Sequence, residues 1–193
     1  MLLTIPYQLL ETANIAVDKF TYDHKGRIVA ALTYKAPAIQ FHDIPILTPP
    51  ITIADYDASM NRLKFDIRSQ SAFLAKISTL QDTLVARLYA QRFEILKYDA
   101  TLDEIRTLFQ FLFYGATLTL FVFPNTMVTL ADGSRQMVGH LKKGDTIRCV
   151  IRIHGISMLP VRPGEFFPRF RIQHSVPAVW RVGGGAAGAG SSA

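Results

Sequence analysis

Cysteine occurs once in the 193 residues, at position 149. A single thiol closes no intramolecular disulfide and builds no cysteine-based zinc site, so a reducing, intracellular setting is the default expectation. Long apolar runs are missing too. The longest candidate, residues 108–124, carries Gln110, Gly115 and two threonines and stops at Pro124. It falls short of the roughly 18 uninterrupted apolar residues that span a bilayer, so no membrane span is expected. The opening MLLTIPYQLLETAN lacks a basic leading region and is interrupted by Pro6 and Glu11, which does not fit a secretory signal. Enzyme signatures are also absent. There is no G-x-S-x-G, no phosphate loop ending in G-K-[ST], no G-x-G-x-x-G and no H-E-x-x-H. The five histidines are scattered; His42-Asp43 and the set His140, His154 and His174 are weak as a catalytic pair and a metal site. Asp55 and Asp57 fit turn chemistry as well as cation binding. The expectation is a non-enzyme without a cofactor or metal.

What is present is a globular composition, 49% apolar against 19% charged, long enough for one domain with a real core. Acidic residues are nearly missing from the last third. Between residues 135 and 182 nine basic residues face only Asp145 and Glu165. That concentration of charge suggests an anionic partner: nucleic acid, an acidic protein or a membrane surface.

Periodicity places the elements. Residues 15–22 and 28–34 form a hairpin around the turn signal DHKGR, and the proline-rich FHDIPILTPP is edge strand or extended loop. Residues 62–67 alternate, with Leu63, Phe65 and Ile67 on one face. Residues 71–92 carry a helical stripe of Phe73, Ile77, Leu80, Leu84 and Leu88, with Ser69 or Ser71 as cap. Thr101-x-x-Glu104 is a capping box opening a shorter helix with Leu102, Ile105, Leu108, Phe109 and Leu112 inward. After Gly115 the period becomes two. Asp132-Gly133 closes a hairpin, and Lys142-Lys143-Gly144-Asp145 turns into a strand over 146–155. There Ile147, Cys149, Ile151 and Ile153 oppose Arg148, Val150, Arg152 and His154. A last strand over 169–176 sets Arg169, Arg171 and Gln173 against Phe170, Ile172 and His174. Strands at both ends with helix between predict a mainly β, α+β fold. Residues 1–182 form one domain, closed or nearly closed as an antiparallel barrel, with a helical insertion at 70–113. Residues 183–193, rich in Gly, Ala and Ser, read as a flexible tail.

Single-stranded nucleic acid is held by cations along the phosphates and aromatic rings under the bases. Arg148, Arg152, Arg169 and Arg171 share one surface if the last two strands pair. Lys142 and Lys143 lie in the turn before them. Phe166, Phe167 and Trp180 flank the last strand as stacking candidates, with Tyr114, Phe121 or Phe123 from elsewhere. Four such phosphate contacts give a salt slope of about −2.8, at about −0.7 each.

The order FHDIPILTPPITI, then the helix FLAKISTLQDTLVARL, then LKKGDTIRCVIRIHGISM and FRIQHSVPAVWRV resembles the OB-fold single-stranded-DNA-binding proteins of large double-stranded DNA viruses. The elements that carry the resemblance are Leu47-Thr48-Pro49, Lys143-Gly144-Asp145, Gly155-Ile156 and Gln173, within residues 40–182. It implies an OB-like barrel and sequence-independent binding of single-stranded DNA in viral replication or recombination. The implied location is the replication site in the host nucleus or cytoplasm. The alternative is a virion protein, a minor capsid, cement or core component, whose partners are other viral proteins, further copies of itself or the packaged genome.

Overall fold

The computed structural model describes residues 3–183, and the fold is mainly β with three short-to-long helices among them. Its spine is the strand Thr146–Met158, hereafter the central strand. The strand Phe170–Gly183, the last strand, pairs with it antiparallel from end to end. It runs seven residues past the expected end at Val176 and includes Gly183, the first residue assigned to the tail; the rest of the tail lies outside the described residues.

The other edge of the central strand is shared by three strands in turn. Ile51 and Thr52 pair with its start, Ile44–Leu47 with its middle and residues 28–31 with its end. The proline-rich segment is therefore no edge. Ile44, Pro45 and Ile46 are buried, and Ile46 and Leu47 pair on their far side with Ile5 and Pro6 in parallel. Two prolines, Pro49 and Pro50, cannot donate to the ladder here. Thr48 covers the gap: its N–H donates to the Cys149 carbonyl and its hydroxyl accepts from the Cys149 N–H, both at 3.0 Å. Farther along, the carbonyl of Ala30 would lie 2.5 Å from a Cβ at position 155. Only glycine lets these two strands approach so closely. At the start of the central strand Gly144 adopts φ of 90°, and Asp145 accepts the Lys142 N–H at 2.9 Å through its side chain. The Leu-Thr-Pro, Lys-Gly-Asp and Gly-Ile elements thus all shape the two ends and the middle of one strand.

The short strands between residues 5 and 41 belong to this sheet. The hairpin turns at 23–27, where the Asp23 carboxylate accepts the N–H groups of Lys25 and Arg27 at 2.9 Å each. Ile15–Val17 and Thr21–Tyr22 both pair antiparallel with Ile28–Ala36. The segment before them lies on the long helix Ser71–Ala90, with Tyr7 edge-on to Phe73 at 5.3 Å and the Lys76 ammonium donating to the Leu10 carbonyl at 2.9 Å.

The five stripe residues of that helix are all buried. Its cap differs from expectation: Gln70 occupies the N-cap without a side-chain bond, so neither serine serves. The capping box at Thr101 and Glu104 forms reciprocally and starts Leu102–Leu108, although Leu102 itself is exposed. The helices are inserted between Arg62–Asp66 and Thr117–Phe121, which pair antiparallel with each other. Leu63, Phe65, Leu118 and Leu120 from that pair enter the same core as Ile147, Cys149, Ile151 and Ile153.

The sheet is mixed rather than purely antiparallel. Besides Ile5 and Pro6, the short segments Phe109–Gln110 and Met127–Thr129 lie parallel to the last strand. Both are two or three residues long, so they add to an edge already aligned by longer antiparallel pairs. Thr117–Phe121 also lies against the last strand, where the Phe121 N–H donates to His174 Nε2 at 2.9 Å.

Candidate nucleic-acid interface

Along the central strand Ile147, Cys149, Ile151 and Ile153 are buried; of their alternate neighbours Arg148 and His154 are exposed and Arg152 is half-buried, whereas Val150, expected on the outward face, is buried. Cross-strand partners share a face, so register decides which outward groups meet. Arg148 lies opposite Trp180, Trp180 opposite Thr129, and Thr129 opposite Arg135. These four residues form one row across four strands, about 14 Å from end to end at 4.7–4.9 Å per strand. Arg148 and Arg135 are exposed, and neither has an ion-pair partner among the described residues. Trp180 is half-buried between them. It lines a groove of about 560 Å³ together with Phe123, Met127, Arg135 and Ser175. Phe123 is 53% exposed and held edge-on against Phe121 at 5.3 Å. Lys142 and Lys143 are exposed in the turn at the same end of the central strand.

The middle of the ribbon is electrically different. Arg152, opposite Ser175, donates to the Asp43 carboxylate at 2.8 Å. Asp43 is buried, so Arg152 serves as its counter-ion and is not an open cation. His154 Nε2 lies 2.7 Å from the Ser175 hydroxyl and its Nδ1 lies 3.6 Å from Asp43. Burial, with the nearby Arg152 guanidinium, holds the imidazole below the usual histidine range against the pull of Asp43. The order Ser175, His154, Asp43 is that of a hydrolase triad. Asp43 is committed to Arg152 at the shorter distance, which leaves the imidazole without the firm orienting bond that a triad uses. His42 takes no part in this cluster.

At the far end Arg171 is exposed opposite Ser157 and has no ion-pair partner among the described residues. Arg169 precedes the strand and is tied to Glu165. Arg181, from the same basic stretch, pairs with buried Asp145 at 2.7 Å. Phe167 stacks on Tyr98 at 4.4 Å and 17°, closed to a base, whereas Phe166 is 90% exposed on the loop. The four arginines expected on one surface therefore reduce to two free ones, Arg148 and Arg171, at opposite ends of the ribbon. Arg135 joins Arg148. Its place beside Trp180 depends on the parallel pairing of Met127–Thr129, which alternation in sequence does not signal.

Cys149, Asp55 and Asp57 are accounted for structurally. Burial pushes the Cys149 thiol up to about 12, so it is inert near neutrality. Asp55 pairs with Lys64 at 3.0 Å, and Asp57 accepts from Ser59 and the Met60 N–H within its turn. Among the described residues no group of three or more His, Cys, Asp or Glu could hold a metal ion. No helix there is long and apolar enough to cross a membrane. No family model, curated protein or solved structure matches the chain.

Proposed function

We propose that the protein binds single-stranded DNA without sequence preference, in the manner the resemblance implies for viral replication or recombination. The observation that carries this reading is the row Arg148–Trp180–Thr129–Arg135. It puts a half-exposed indole between two unpaired guanidinium groups at the edge of an open groove. That combination suits a chain of phosphates with stackable bases, because every base has a π-face and backbone contacts carry no sequence. An acidic protein surface would need the cations but not the indole and Phe123 beside them. The curl of the sheet, which brings Thr117–Phe121 against the last strand through His174, supports an OB-like barrel as the scaffold.

The test is a salt titration of binding to single- and double-stranded oligonucleotides. With Arg152 and Arg169 engaged internally, Arg148 and Arg135 are the free arginines beside Trp180, so log K should fall with log salt at a slope of about −1.4 on single strands that occupy this row. Single strands should be preferred. Absence of binding to oligonucleotides of about 30 residues at low salt, or a preference for duplex, defeats the reading.

A further inference from the structure

The end of the ribbon farthest from Trp180 opens on a second cavity, of about 460 Å³. This lies within the range of small-ligand pockets, and its walls are largely apolar. Ile28, Met158, Leu159 and Val161 form the walls, and the ring of Tyr22, 76% exposed, stands at the cavity. Two guanidinium groups line it, and only one is available. Arg27 is bound to Asp23 at 2.7 Å, an arrangement whose hydrogen bonds hold the Asp23 carboxyl down to about 2. Arg171 has no such partner among the described residues, and beside it Gln173 supplies a carboxamide. Both come from the outward face of the last strand, the same face that carries Trp180. The bulge between Val150 and Arg152 restores that parity: Ala178 lies opposite Val150 and Ser175 opposite Arg152.

We infer that this cavity takes one unstacked nucleobase of the strand whose other part lies on Trp180, with the adjoining phosphate on Arg171 and the base edge toward Gln173. The inference rests on the proposed function. The bound strand then has a second contact point and runs along the last strand from Trp180 to Arg171. From the Arg148 row to the Arg171 row is nine residues of strand, about 30 Å at 3.3 Å per residue. Between the two points Arg152 is neutralised by Asp43, so the strand is gripped at its ends and crosses a weakly charged middle. A site of that length falls among the roughly 4–16 nucleotides covered by single OB-type modules.

Affinity of the full chain for oligothymidylates of about 4 and about 12 nucleotides tests this, with the wild type, Arg171→Gln and the cavity-filling Val161→Phe. The longer strand should bind the wild type roughly tenfold or more tightly, one stacked base being worth about that factor. Either substitution should remove most of this gain and leave the shorter strand's affinity and the melting temperature unchanged. Equal affinity of wild type and both variants for the longer strand overturns the second contact while leaving the Trp180 site standing. Failure of every strand to bind overturns both.

Discussion

Trp180→Ala is expected to weaken single-strand binding by about 5- to 150-fold, the equivalent of roughly 1–3 kcal/mol of lost stacking. Arg148→Glu combined with Arg135→Glu should abolish measurable binding at moderate salt, because it replaces two phosphate-facing cations with repulsive charges on either side of the indole. Trp180 is half-buried, so its truncation also removes packing; Trp180→Phe keeps a ring in place and should retain most of the affinity. The contrast comes from Arg152 and Arg169. Arg169→Gln should leave binding nearly unchanged, since its guanidinium is already occupied by Glu165. Arg152→Gln should act mainly on stability, by leaving the buried Asp43 carboxylate without its counter-ion. Fluorescence anisotropy with labelled oligonucleotides, alongside thermal unfolding of each variant, separates the two classes. Wild-type affinity in a folded Arg148→Glu, Arg135→Glu protein removes the row from the site.

Acidification from pH 6.5 to 4 is expected to cost about 3 kcal/mol of stability through one side chain. His174 is held down to about 4 from its ordinary 6.5, first by burial and then by nearby positive charge on His154 and Arg171. Its Nε2 accepts the Phe121 N–H, which an imidazolium cannot do. The folded state therefore favours the neutral ring. The associated stability is complete above pH 6.5 and is lost as pH falls toward 4, at about 1.4 kcal/mol per pH unit. His154, depressed in the same direction, adds to the slope. The lowered carboxylates Asp23 and Asp66 sit near 2, so their contributions fade only below this window. His174→Gln keeps an acceptor for Phe121 and cannot charge. Its melting temperature should vary less with pH between 6.5 and 4 than that of the wild type. Equal pH dependence in the two proteins would show that the contact between the sheet's two flanks is not what acid disrupts.

Strands and helices were readable wherever one face is buried. On the central strand Val150 is buried along with the inward set, whereas Leu63, Phe65, Leu118 and Leu120 alternate because each sits on a strand with a single core face. Phe73 through Leu88 repeats at helical spacing for the same reason. The segment around Ile44–Leu47 was not readable, since its prolines signal an edge. In the fold the Thr48 side chain supplies hydrogen bonds next to the two prolines that follow it, and the segment is buried between partners. Arginine counting located the basic region but not its free charges. Whether Arg152 is open depends on Asp43, which is 109 positions away in sequence and is brought alongside by the pairing of Ile44–Leu47. Arg135 reaches Trp180 through the hairpin that Asp132-Gly133 signals and then through a short parallel pairing, and only the second leaves no trace in the sequence.

Trp180 is the only tryptophan in the chain, so its emission reports on the proposed site without labelling. Titration of the protein with oligothymidylate at low salt should quench that emission saturably, with the same midpoint as anisotropy of the labelled strand. Added salt should reverse both signals together. Binding seen by anisotropy with the tryptophan emission unchanged would contradict an interface centred on the Arg148–Trp180–Thr129–Arg135 row.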